Sequence, residues 1–147
     1  MKNTAFKFST SLRVRNYEVD WQGIVHNANY LIYLEVGRLE YLQHIGMEVN
    51  MHSIQNDAKV VLVRNEINYK SPAVFHQQLT IHTRIARIGN TSFIFEGIIE
   101  DAETGIVIAE GKAYHVWLDP KTNTAIRVPE HFRQQVKNFE EEKVKIL

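Results

Sequence analysis

The chain has 147 residues, enough for one domain with its own core, and its 17 Lys plus Arg balance 17 Asp plus Glu, so the formal net charge is zero. That balance argues against broad charge-driven binding to nucleic acid or to a membrane surface. With no cysteine there is no disulfide framework, thiolate nucleophile or cysteine zinc site; without a signal-like start or the ~20 apolar residues of a membrane helix, a cytoplasmic protein with no membrane insertion is expected.

Taken in order, residues 1–8 read as a loose start. Leu12, Val14 and Asn16 alternate with Ser11, Arg13 and Arg15, which predicts a strand over Ser9–Tyr17. Ala28 to Ile45 has helical spacing at Tyr30, Leu31, Leu34, Tyr41, Leu42 and Ile45, with Asn27 or Asn29 as the cap and Gly46 just past the end. Met47–Asp57 is polar and weakly patterned and reads as a connection. Lys59–Tyr69, Gln78–Arg87, Ser92–Glu100 and Ile106–Leu118 read as strands, separated by Ser71-Pro72, Ile88-Gly89-Asn90 and Asp101–Gly105. Asp119–Thr124 is a turn. Val128-Pro129 opens a short helix to about Phe139, with Pro in the first turn, and Glu140–Lys145 reads as a solvated charged tail.

Four strands joined by short loops predict an antiparallel meander. A long helix with apolar residues on more than one side needs broad cover, which a curved sheet wrapped around it supplies. No repeat, low-complexity tract or linker divides the chain, so residues 1–147 are expected to form one domain.

The chemistry concentrates just before the long helix. Asp20 precedes its N-terminus, and Gly23 lets the loop between them fold back. Unpaired N–H groups at a helix start form a ready anion site. A carboxylate beside such a site suits hydrolysis; the alternative is that Asp20 only fixes the loop through an Asx turn. Glu35 is a second carboxylate, with Arg38 at i+3, which reads either as an ion pair or as a helper that orients water. His26 reads as a capping residue or as one that orients substrate. None of the seven histidines has a partner at metal-ligand spacing, so no metal and no cofactor is expected. No Gly-x-Ser-x-Gly elbow is present, and Gly105–Lys112 lacks phosphate-loop spacing.

Asp20-Trp21-Gln22-Gly23-Ile24-Val25-His26-Asn27-Ala28-Asn29-Tyr30, followed by Tyr33-Leu34-Glu35 and Arg38, resembles the signature of hot-dog-fold acyl-CoA thioesterases of the 4-hydroxybenzoyl-CoA thioesterase-like group. Asn65–Pro72 and Arg87–Phe93 resemble that group's second strand and a later turn. The resemblance implies an α+β hot-dog fold: an antiparallel five-stranded sheet wrapped around one long central helix, with a short C-terminal helix. It implies an acyl-CoA thioesterase, acting on acyl-CoA or an acyl carrier protein thioester, as a homodimer or a dimer-of-dimers tetramer with sites shared between protomers. On that resemblance Asp20 is the base or nucleophile and the Asn27 backbone amide polarises the thioester carbonyl. His26 and Glu35 are further catalytic candidates. Gly23 and Tyr30, with the turn residues Arg87, Asn90 and Ser92, are expected to bind substrate. The His26-Asn27 pair departs from the group's commoner arrangements and leaves the acyl preference open. Two other activities fit the same fold: a hydratase or dehydratase acting on acyl thioesters, and a non-catalytic acyl-CoA-binding module.

Overall fold

The computed structural model describes residues 3–48, 50 and 59–147. Most of the connection expected over Met47–Asp57 lies outside them. The elements are β1 (Phe8–Arg13), α1 (Asn27–His44), β2 (Lys59–Tyr69), β3 (Gln78–Ile88), β4 (Ser92–Asp101), β5 (Val107–Leu118), α2 (Glu130–Glu140) and the two-residue β6 (Lys145–Ile146). Helix α1 has 18 residues and at 1.5 Å per residue is ~27 Å long. The sheet order is β1-β3-β4-β5-β2, with β6 added parallel to β3. It wraps α1 as the hot-dog fold requires, and α2 closes the end at which α1 finishes.

Two core clusters follow the length of α1. The first gathers Val25, Tyr30, Tyr33 and Leu34 against Leu79, Ile81 and Ile99. The second gathers Tyr41 and Ile45 against Ile85, Ile88, Phe95, Phe132 and Val136. Each fully buried Ile contributes on the order of 1.5–3 kcal/mol. Gly37 sets the approach between helix and sheet, because a Cβ there would lie 2.5 Å from Thr83 Oγ1 and 2.8 Å from Ile81 Cγ2.

Several sequence expectations are corrected. The four-strand meander is a three-strand one: β3, β4 and β5 are sequential neighbours, but β2 pairs with β5 at the sheet edge. Residues 70–77 do not form a hairpin. They cross under the start of α1, where Val25 N–H donates to Ala73 O (2.9 Å), Ile24 bridges Val74 and Phe75 N–H donates to Gly23 O (3.0 Å). The first strand stops at Arg13, because Asn16–Glu18 turns as a 3₁₀ segment in which the Glu18 carboxylate folds back on the Arg15 N–H (2.8 Å).

The start of the chain is not wholly loose, since Asn3–Ala5 forms a 3₁₀ turn and Phe8 begins β1. The cap of α1 is His26, not Asn27 or Asn29. Pro129 stands at the N-cap of α2, one place before the first turn.

The solvated tail is the largest correction. Glu140 is fully buried, its Oε2 accepting from the Tyr41 hydroxyl (2.7 Å) and the Ile85 N–H (3.2 Å), and Lys145–Ile146 adds a sixth strand to the sheet. Val144 and Ile146 pack on the second cluster and draw the charged run back onto the protein.

Candidate functional site

Residues 18–26 form a miniature hairpin ahead of α1. Val19 bridges Val25, His26 N–H donates to Glu18 O (3.0 Å) and Asp20 N–H donates to Ile24 O (2.9 Å). At the tip Gly23 N–H donates to Asp20 O (2.9 Å), and Gly23 has φ +80°, the left-handed region that lets the chain reverse in so few residues. Trp21 at this tip is 95% exposed.

The Asp20 carboxylate is held by the same turn. Its Oδ1 accepts from Gln22 N–H (2.8 Å) and Ile24 N–H (3.2 Å), while Oδ2 has no partner among the described residues. The Asx turn is therefore real, and it aims one pinned carboxylate oxygen at its own loop and leaves the other to solvent.

The helix start is equally selective. His26 Nδ1 accepts from Ala28 N–H (3.3 Å), and His26 O accepts from Asn29 N–H (2.9 Å). An accepting Nδ1 places the ring proton on Nε2. The Asn27 N–H, between them, has no partner among the described residues, so one amide at the positive end of α1 stays open. Tyr69 steadies this point by donating from its hydroxyl to Asn27 O (3.3 Å).

Behind the loop lies a residue that sequence reasoning passed over. Glu18 is 4% exposed; Oε1 accepts from Arg15 N–H (2.8 Å) and the Tyr33 hydroxyl (3.0 Å), and Oε2 from the Arg15 guanidinium (2.6 Å). Its backbone O accepts from Asn29 Nδ2 (2.8 Å). Burial alone pushes this carboxyl up, but the Arg15 and Tyr33 hydrogen bonds outweigh it and hold Glu18 below the usual carboxylate range. The carboxylate thus fastens the loop to Arg15, just past β1, and to Tyr33 of α1. Its only sequence signal was Arg15 at i−3.

The other expected residues fall in three places. Tyr30 is 4% exposed, with its hydroxyl accepting from Ala73 N–H (3.0 Å), so it braces the residue 70–77 crossing directly beneath the loop. Glu35 lies on an exposed part of α1, its carboxylate 3.9 Å from Arg38. Arg87, Asn90 and Ser92 flank the β3–β4 turn, where Asn90 O accepts from Val128 N–H (2.8 Å) and from Arg133 (3.1 Å). That turn packs by α2 at the far end of α1. Within one chain the fold brings Asp20, Gly23, His26 and Asn27 together and holds Arg87, Asn90 and Ser92 apart from them.

Among the described residues no group of three or more His, Cys, Asp or Glu is placed to hold a metal ion, and no helix is long and apolar enough to cross a membrane.

A long helix wrapped by one antiparallel sheet, with a short C-terminal helix, is the hot-dog architecture. The chain belongs to the thioesterase-like superfamily, whose family model matches residues 14–136. It is similar to the long-chain acyl-CoA thioesterase FadM of Escherichia coli K12, 30% identical over 88% of this chain and 97% of that one. The chloroplastic acyl-acyl carrier protein thioesterase ATL2 of Arabidopsis thaliana is 33% identical over 88% of this chain and 68% of its own length. Among solved structures, a thioesterase of Thermus thermophilus complexed with coenzyme A and Zn has a TM-score of 0.79 and 25% identity, with 92% of this chain and 96% of that one covered.

Proposed function

We propose that this protein is an acyl-CoA thioesterase that hydrolyses acyl-CoA to a free acid and CoA, with Asp20 as the general base. The observation that carries the reading is that one short loop holds an open carboxylate oxygen on Asp20 and runs into an open backbone amide, that of Asn27, at the start of α1. In the proposed reaction, Asp20 Oδ2 takes a proton from water as the water oxygen attacks the thioester carbon. The Asn27 N–H holds the developing oxyanion, a role for which a fixed backbone donor needs no reorganisation. Collapse breaks the C–S bond, and the departing thiolate takes up the proton. His26 keeps the helix start ordered, and Glu18 ties the base to it.

The same reading makes the protein a symmetric oligomer. Strand β2 has 11 residues and lies at the sheet edge, and Ile32 and Leu39 on α1 with Leu62 and Val63 on β2 are exposed apolar residues. Long open edges are usually covered, and two-fold pairing is the commonest cover. Pairing also offers the Arg87–Ser92 turn of one protomer a route to the CoA bound at the loop of its partner.

The test is thiol release from a panel of aromatic, short and long acyl-CoA esters and acyl carrier protein thioesters, with product masses measured and light scattering run in parallel. Free acid and free thiol are expected. Enoyl or hydroxyacyl thioester products point to a hydratase or dehydratase, and saturable binding without thiol release points to a binding module. A fully active monomer overturns the shared site.

A further inference from the structure

The last residues described return to the turn that the proposed function offers to CoA. Strand β6 lies parallel to β3 in a register that sets Lys145 beside Arg87 and Ile146 beside Ile88, and Leu147 N–H donates to Ile88 O (3.0 Å). Ile88 is fully buried and Ile146 packs on the second core cluster, so the alternation of side chains turns Arg87 and Lys145 outward together. Both are exposed, and neither makes an ion pair among the described residues. Neighbouring strands lie ~4.8 Å apart, and like charges set opposite each other on such a pair repel.

A third cation locks this arrangement. Arg133 of α2 is 3% exposed, yet all four of its acceptors are main-chain oxygens. Its Nε donates to Val128 O (2.8 Å), one terminal nitrogen to Leu147 O (3.3 Å), and the other to Gly89 O (2.5 Å) and Asn90 O (3.1 Å). One guanidinium thus ties the β3–β4 turn to the end of β6. Burial, then the charge of Arg127, pulls the Arg133 pKa below its usual value. Arg127 itself lies 3.9 Å from the carboxylate of Glu130, whereas Arg87 and Lys145 stand side by side with no carboxylate in contact.

We propose that Lys145 joins Arg87 in holding a phosphate of the CoA nucleotide, and that Arg133 is the positioning residue that clamps the turn and β6 into one rim. The inference rests on the reading of the Arg87–Ser92 turn as a CoA contact, and adds to it a strand from the far end of the chain. An ammonium beside a guanidinium suits a phosphate monoester, which carries close to two negative charges near pH 7. The pantetheine arm is uncharged, so such a rim favours CoA thioesters over thioesters of pantetheine alone.

Calorimetric titration with adenosine 3′,5′-bisphosphate, a phosphate-bearing fragment of CoA, needs no turnover and so reads the site independently of hydrolysis. Saturable binding is expected, at least about tenfold tighter than that of adenosine and weakened by salt. Lys145→Ala, at an exposed position, should weaken it by about fivefold and flatten its salt dependence. Arg133→Met should weaken it at least about as much, and Arg133→Lys, which keeps a cationic donor, should recover part of the loss. In thiol release, kcat/KM for an acyl-CoA relative to the matching acyl-pantetheine should fall by similar factors; misfolded protein lowers both substrates alike and leaves that ratio standing. Lys145→Ala makes no buried change and decides the matter if Arg133→Met does not fold. Parental bisphosphate affinity in Lys145→Ala, or equal affinity for the bisphosphate and adenosine in the parent, overturns the proposal. Arg87→Ala separates the two readings: if it lowers the ratio and Lys145→Ala does not, this inference alone falls, and if neither lowers it, the CoA reading of the turn falls as well.

Discussion

Asp20 has two separable duties, and two substitutions divide them. Asp20→Asn retains an Oδ1 that can accept from Gln22 N–H at 2.8 Å and Ile24 N–H at 3.2 Å, but it removes the charge. The loop should survive, and stability should change by less than about 0.5 kcal/mol, as for most surface substitutions. Loss of a positioned base should lower turnover by at least ~10²-fold, which is roughly 2.7 kcal/mol of barrier. Asp20→Ala loses the base and both loop hydrogen bonds. At ~0.5–1.5 kcal/mol each in net terms, their loss should lower stability by about 1–3 kcal/mol, and each kcal/mol moves the melting temperature of a domain of this size by roughly 2–4 °C. The assay is thiol release under saturating acyl-CoA, with apparent substrate affinity and thermal melts measured on the same preparations. Asp20→Asn should be slow and stable, and Asp20→Ala slow and less stable. An Asp20→Asn protein with parental turnover refutes the role as base and leaves Asp20 only its Asx turn.

Glu35→Gln should leave turnover within about tenfold, ~1.4 kcal/mol in barrier, and stability within ~1 kcal/mol, because its contact with Arg38 is long and its own carboxylate is exposed; collapse of turnover in a stable Glu35→Gln protein moves the base to the helix. Gly37→Ala should destabilise by ~1–3 kcal/mol despite alanine's higher helix propensity, since the new Cβ meets Thr83 Oγ1 at 2.5 Å; an unchanged or higher melting temperature contradicts the close approach. Burial, despite bonds from Tyr41 and Ile85, raises the Glu140 pKa above 4.5. A carboxyl whose folded pKa is raised favours the folded state below its unfolded pKa and loses that contribution as pH rises through the folded value. Glu140→Gln stays neutral, so its stability relative to the parent should improve as pH rises from below 4.5; a flat difference across that range shows the charge is not penalised.

The local pattern of this chain already contained much of the fold. The bounds of α1 and of four strands were legible within a residue or two, since a 3.6-residue and a 2-residue periodicity are written in adjacent positions. The loop from Asp20 to Asn27 was legible for a similar reason: its turn, its glycine and its helix start all lie within one short stretch. Only tertiary structure decided the rest. That β2 pairs with β5 depends on residues 70–77 crossing beneath α1, a contact between segments distant in sequence. Glu18 drew no reading and Glu140 read as part of a solvated tail, yet both are buried, because their partners Tyr33, Tyr41 and Ile85 arrive from other elements. A cleft around Arg38 has no sequence signal, since its walls come from α1, β2, β4, β5 and α2 at once. Periodicity fixes which face of an element is apolar; which neighbour covers that face, and which charge is left without one, is settled only when the sheet closes around the helix.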